Sequence, residues 1–329
     1  MKIKKVKEFL HKLLNNKCPP PVFLWGAPGI GKSSLVKQVA EERGIGIIDL
    51  RLSLLEPIDL RGIPSVKGEK CFWTRPPFIP DEGEGILFLD ELNTASPSLQ
   101  NSALQLVLDR RVGEHKLGDG WYIIAAGNKR EHMAHTFKLS APLISRFINI
   151  EVDCDIDDWT EYAIKKGFAE EVISFLKFRP ELLLQLPQTS DTPFPCPRTW
   201  EYLSHVLPFT DDIEVWKGIV GEGAALEFSS FCKIYKQLPD IQQILEGKKI
   251  YPHKTDLSIL IATIVSVAKR AQPEHLSNVL SWTLGLEEKF AVFCVHLLMQ
   301  KGDRYKEAFY TSPVRDEWIR KFGKFVLEE

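Results

Sequence analysis

This chain of 329 residues has an excess of almost nothing. Lys and Arg number 42 against 44 Asp and Glu, a formal net charge of −2. That balance excludes the strong positive field with which a protein gathers nucleic acid or anionic membrane without specificity. Cysteine is sparse: Cys18, Cys71, Cys154, Cys196, Cys232 and Cys294 are scattered, and no two form a C-x-x-C pair. Neither a zinc site nor a disulfide framework is suggested, and reduced thiols are expected. Long apolar runs are missing. The nearest, Leu257 to Ala268, is interrupted by Ser258, Thr263 and Ser266 and is too short to span a bilayer. The opening stretch Met1-Lys2-Ile3-Lys4-Lys5-Val6-Lys7 has no apolar segment of a secretory leader behind it. The expectation is a soluble, cytoplasmic protein with no membrane partner. No fixed-period repeat or low-complexity tract is found. With 44% apolar residues the chain can bury a core, and its length favours two or three domains.

The most specific stretch is Gly26-Ala27-Pro28-Gly29-Ile30-Gly31-Lys32-Ser33, which fits the phosphate-loop pattern G-x-x-x-x-G-K-[ST] at every fixed position. The glycines let backbone N–H groups turn inward around phosphate oxygens with no Cβ in the way. Lys32 supplies a point charge for the β- and γ-phosphates, and the Ser33 hydroxyl reaches Mg²⁺. Pro21–Trp25 reads as a short buried strand ahead of the loop. Ser34 opens a helix to Glu42 whose positive end faces the phosphates. The competing reading, a Gly-rich turn that binds nothing, is disfavoured by that strand and helix.

A second anchor is Gly85-Ile86-Leu87-Phe88-Leu89-Asp90-Glu91. Its apolar run suggests a strand buried on both faces, and its two carboxylates stand where open α/β sheets place their ligands. Paired with the phosphate loop, Asp90 becomes a Mg²⁺-water ligand and Glu91 the base for an attacking water. Trp121–Asn128 reads as another buried strand. Asn128 at its tip either orients that water or simply forms a turn.

Other patterns fill in the order. An amphipathic basic helix covers Ile3 to Leu14, and Gly46–Arg51 and Ile148–Val152 read as strands. Leu60–Trp73 and Arg110–Trp121 read as hairpins, and Asn93–Leu108 as a helix. The alternation argues a three-layer α/β sandwich. From Asp153 helical patterns dominate, among them Asp157–Lys166, Glu170–Phe178, Pro197–Val206, Ile213–Leu238 and Asp256–Lys269. Glu274–Leu284 and Glu287–Gln300 follow, and an amphipathic helix is expected within the tail 310–329. His115, His132 and His135 lack a second cluster at ligand spacing and are expected at the surface.

Together these motifs resemble the AAA+ ATPases, within them the MoxR-like group of the dynein-related, helix-2-insert branch. Gly26–Ser33 is similar to Walker A and Ile86–Glu91 to Walker B. Asn128 falls at sensor 1, Arg146 of Ser145-Arg146-Phe147 at the arginine finger, and Arg198 of Pro197-Arg198-Thr199-Trp200 at sensor 2. Asp59-Leu60-Arg61-Gly62 with its hairpin is similar to the helix-2 insert. The likeness runs from about Pro21 to about Leu238 and is strongest early. It implies a P-loop NTPase fold with a parallel sheet over residues 1–152 and a helical lid over 153–240; the helical region expected over 241–329 rests on helical texture alone. It also implies ATP and Mg²⁺ as cofactors and a ring, usually of six subunits, with Arg146 reaching a neighbour's nucleotide. The family's work is remodelling a protein client, often beside a partner with a von Willebrand factor A domain.

Two other functions compete. One is a nucleic-acid-directed motor, McrB-like or DNA-loading, for which Arg110, Arg111, His115 and Lys116 would be the contacts. The slightly acidic chain lacks a basic stripe with interleaved aromatics. The other is a nucleotide-gated scaffold that rarely cleaves ATP, against which Glu91 and Arg146 argue.

Overall fold

The computed structural model describes residues 1–17, 19–129, 137–187, 191–252 and 257–323. Cys18, Arg130, His132 and His135 lie outside the described residues, as does the end of the tail helix expected within 310–329. The chain divides into two compact units, one of Met1–Asp155 and the other of the described residues from Ile156 onward.

In the first unit α1 (Ile3–Leu13) precedes β1 (Val22–Trp25), and α2 (Lys32–Arg43) follows the phosphate-loop stretch. β2 (Gly46–Arg51), α3 (Pro57–Arg61), β3 (Pro64–Lys67) and β4 (Lys70–Trp73) come next. β5 (Gly85–Asp90), α4 (Pro97–Asp109), β6 (Arg111–Val112), β7 (His115–Lys116), β8 (Trp121–Gly127), α5 (Ala141–Ile144) and β9 (Ile148–Glu151) complete it. The sheet has five strands in the order β2-β5-β8-β1-β9, all parallel. Parallel strands need both faces covered. The sequence supplies this: Val22-Phe23-Leu24 and Gly85 to Leu89 are buried without alternation. One face, with Phe23, Leu87, Leu89, Ile123 and Ala125, packs with Leu99, Ala103 and Leu106 of α4. α2 packs on β2, β5 and β8. The register pairs Trp25 with Gly127 and Leu89 with Ala125, so β1, β5 and β8 end along one edge. A parallel sheet thus delivers Gly26, Asp90 and Asn128 to the same rim.

β3–β4 and β6–β7 are the two antiparallel hairpins. The guanidinium of Arg61 lies 4.8 Å from the Trp73 ring centroid, and the Trp73 N–H donates to Glu114 at 2.9 Å, so the hairpins are tied to each other.

The second unit is helical: α6 (Ile156–Lys166), α7 (Glu170–Phe178), α8 (Pro197–Val206), α9 (Ile213–Val220), α10 (Glu222–Tyr235) and α11 (Ile241–Leu245). α12 (Leu257–Arg270), α13 (Leu276–Thr283), α14 (Glu288–Met299), α15 (Asp303–Thr311) and α16 (Arg315–Phe322) follow. Phe175, Trp200, Trp216, Phe228 and Phe231 form an aromatic cluster. α7 packs on α12, so helices on either side of residue 240 belong to this one unit.

Several expected elements differ. The single helix expected over 213–238 is two, broken at Gly221 (φ 83°), where an added Cβ would lie 2.6 Å from the Pro193 carbonyl oxygen. The helix expected from Asn93 begins at Pro97, capped by Ser96. Ser at the N-cap and Pro at N1 override the apolar periodicity of the preceding residues. The tail pattern falls on the end of α15 and on α16, separated by Ser312-Pro313. His115 is buried rather than at the surface.

Candidate nucleotide site

The rim of the sheet is built from three chain turns. At the first, β1 passes into the phosphate-loop stretch. Gly29 and Gly31 take φ of 76° and 103°, left-handed backbone that side chains with a Cβ resist. A Cβ on Gly26 would come within 2.5 Å of Ile30 Cδ1 and 2.9 Å of the Val152 carbonyl oxygen. Ala27 and Ile30 are buried, whereas Pro28 and Gly29 are half-buried and Ser34 is exposed in the first turn of α2. Lys32 opens α2 with its side chain buried. Its Nζ donates to the carbonyls of Gly26 and Ala27, each at 2.9 Å, and to Asn128 Oδ1 at 2.8 Å. A buried ammonium needs such acceptors.

At the second turn, β5 ends in Asp90. The Ser33 hydroxyl donates to Asp90 Oδ2 at 2.7 Å, and the Glu91 N–H donates to Asp90 Oδ1 at 2.9 Å. Glu91 has a φ of 56°, rare for a residue with a Cβ. Thr94 fixes this turn, its N–H and hydroxyl both donating to the Glu91 carbonyl at 2.9 and 2.8 Å. The exposed Glu91 carboxylate accepts from the Ser53 hydroxyl at 2.5 Å.

At the third turn, Asn128 follows β8. The Asn93 amide pairs with its backbone on both sides: Nδ2 donates to the Asn128 carbonyl at 2.6 Å, and the Asn128 N–H donates to Oδ1 at 3.2 Å.

The structure thus joins Lys32, Ser33, Asp90, Glu91 and Asn128 through named contacts within one unit. Arg146 is exposed just after α5, its guanidinium donating to the Pro142 carbonyl at 3.3 Å and Ser145 Oγ at 3.1 Å. Arg198 is exposed in the first turn of α8, in the second unit. Lys129, next to Asn128, pairs with Glu151. Ser53 and Asn93 escaped the sequence reading. Nothing in the sequence marks Ser53. Asn93 had one signal: the Ser96-Pro97 helix start leaves 91–95 outside the helix.

The donor set suits a nucleoside triphosphate with Mg²⁺. Glycines keep the loop free of side chains, one ammonium stands over it, and a hydroxyl and a carboxylate offer hard oxygen ligands. Among the described residues no group of three or more His, Cys, Asp or Glu could hold a metal unaided.

Residues 21–147 match the AAA domain of the dynein-related subfamily. The match covers all three turns of the rim as well as Arg146. A curated relative, midasin of Giardia intestinalis, is 31% identical over 144 residues, covering 40% of this chain and 3% of its own length. The chain therefore spans a small fraction of that relative. Among solved structures, the RuvB Holliday junction branch migration motor of Thermotoga maritima shares 18% identity over 80% of each chain, with a TM-score of 0.40. NtrX of Brucella abortus shares 13% identity over 98% of this chain and 67% of its own, with a TM-score of 0.42.

Proposed function

We propose that this chain is a Mg²⁺-dependent ATPase that works as a ring of the MoxR-like kind to remodel or activate a protein client. The observation that carries the reading is the joined rim. Lys32 meets Asn128 and Ser33 meets Asp90, at the edge where three parallel strands end. Lys32 and the loop Gly26–Ser33 would hold the phosphates, while Ser33 and Asp90 would hold Mg²⁺. The bound ion would neutralise developing charge on the phosphates. Glu91, on its left-handed turn past the end of β5, takes the proton of the attacking water. Asn128 orients that water and hands Lys32 an acceptor. Arg146, exposed on its own unit, is available to a neighbouring protomer's nucleotide. A finger supplied in this way makes hydrolysis depend on assembly and is worth about 10³–10⁵ in rate. Arg198 serves as the second sensor from a helical lid beginning near residue 153. The cytoplasm is the proposed location, and a von Willebrand factor A domain protein the proposed class of partner.

The nucleic-acid reading loses its best support in the hairpin. Arg110 donates to the carbonyls of Gly118 and Trp121, and Arg111 to that of Gly113. Lys116 pairs with Asp119 at 2.9 Å, and His115 is buried. No observation favours the scaffold reading either.

The test is phosphate release by the purified protein with Mg-ATP, alongside nucleotide binding. Lys32→Ala is expected to lose both. Unaltered binding by that variant would show that the loop is not the phosphate cradle.

A further inference from the structure

Asn93 belongs to no motif, yet it is among the few buried polar side chains of the first unit, 3% exposed. It lies two residues past Glu91, in the turn that precedes α4. Its side-chain hydrogen bonds lead to the tip of β8. Its amide closes a two-bond ring with the backbone carbonyl and N–H of Asn128, and the neighbouring Leu92 N–H donates to the Ala126 carbonyl at 3.1 Å. Its own carbonyl accepts from the Phe137 N–H at 2.7 Å, beyond the residues that follow the sensor strand. The approach is close enough to dictate the last residue of β8. A Cβ on Gly127 would fall 2.4 Å from Asn93 Oδ1 and 2.9 Å from Phe23 Cζ.

A buried primary amide is costly unless its donor and acceptor are both used. Here both are spent on the backbone N–H and carbonyl of one residue, Asn128, whose side-chain oxygen in turn takes the Lys32 ammonium at 2.8 Å. Glu91 sits on the same short turn as Asn93, tied to it by Thr94. The turn carrying the base and the strand tip carrying the sensor are therefore one mechanical piece, pinned at Asn93.

We infer that Asn93 is a positioning residue for hydrolysis: it holds Asn128 by its backbone N–H and carbonyl and so fixes the sensor side chain against Lys32 and relative to Glu91. This rests on the ATPase reading. Asn93 touches no reacting atom in this account and acts only through Asn128.

The test is a double-mutant cycle read in kcat, with nucleotide affinity and thermal stability measured on the same samples. Asn93→Ala is expected to lower kcat about 10–100-fold, the scale of a small misplacement in an active site. ADP affinity should stay within about threefold, since uniform binding is untouched. Asn128→Ala should lower kcat as well. The double variant should be no slower than Asn128→Ala alone, because Asn93 then has no sensor side chain to position. A double variant whose loss is the product of the two single losses overturns the inference, as does an unaltered kcat in either single variant. A purely structural Asn93 would lower the melting temperature and leave kcat intact at low temperature. If Asn93→Ala does not fold, Asn93→Asp runs the same cycle. It keeps the volume and the acceptor for the Asn128 N–H but turns a carboxylate oxygen toward the Asn128 carbonyl. Absence of hydrolysis in the parent protein would remove the ATPase reading and this inference with it. Independent losses in an active parent would remove the inference alone.

Discussion

The Glu91 carboxylate is exposed, yet it is not free to choose its direction. Its backbone sits at φ 56°, and the Ser53 hydroxyl holds one carboxylate oxygen at 2.5 Å. In the role proposed for it, the carboxylate must swing toward a water, and doing so gives up the Ser53 bond; a hydrogen bond to a charged group is worth about 1.5–3 kcal/mol. Exposure lowers that figure toward about 1 kcal/mol. Ser53→Ala is accordingly expected to raise basal ATP turnover a few-fold, about 5-fold at 1 kcal/mol, without changing nucleotide affinity. A steady-state assay at saturating ATP checks this, and a lower rate would mean that Ser53 aims the base rather than restrains it. At this scale the sequence was legible wherever chain connectivity fixes geometry. Gly26 to Ser33 meet because the loop closes on itself, and Asp90 was readable as a strand end. Ser53 and Asn93 were not readable, because their partners are brought to them by strand pairing between distant segments.

The helices of the second unit show what periodicity conveys and where it stops. Apolar spacing is continuous across Gly221, so one long helix was expected. The backbone instead turns there with φ 83°, against the Pro193 carbonyl. Gly221→Ala is expected to lower stability by about 2 kcal/mol or more, from left-handed strain plus the contact, read as a lower urea midpoint at unchanged slope. An unchanged midpoint would show that the break is not conformationally required. The polar tie between α7, α10 and α12 was likewise invisible in the sequence. Glu170 accepts from Arg270 at 3.1–3.2 Å and from Tyr235 at 2.9 Å, and Tyr235 also meets Ser266 at 2.8 Å. Burial pushes the Glu170 carboxyl up, but the hydrogen bonds of Arg270, Tyr235 and Ser266, with the Arg270 charge, hold it below its ordinary 4.5. A depressed carboxyl binds its proton less readily folded than unfolded. Its contribution is therefore full above pH 4.5 and is lost as pH falls through the folded value. Glu170→Gln is expected to cost about 1–2 kcal/mol at pH 7. The difference from the parent should shrink under more acid conditions. Unfolding curves of both proteins across that range check the sign, and a difference that grows on acidification would contradict it.

For the molecule as a whole, the α/β part was legible as a class because buried strands alternate with helices, and the parallel order β2-β5-β8-β1-β9 brings Gly26, Asp90 and Asn128 to one rim. Assembly is the part no single chain displays. Arg146 stands exposed, its guanidinium donating to Pro142 and Ser145 of the adjoining turn. Arg146→Ala is expected to bind ATP and fail to hydrolyse it. Mixed with Glu91→Gln protomers, it should regain part of the activity, since each variant then supplies what the other lacks. Mixed rings, confirmed by mass, that stay inactive would place the finger's action elsewhere.

Binding of Mg-ATP at this rim and its cleavage through Glu91 are tested together by Glu91→Gln. Binding and turnover are measured on one preparation. The expected result is ATP affinity close to that of the parent with turnover lower by about 10²–10⁴, the contribution of a general base. Turnover equal to the parent's, with ATP bound normally, would contradict it.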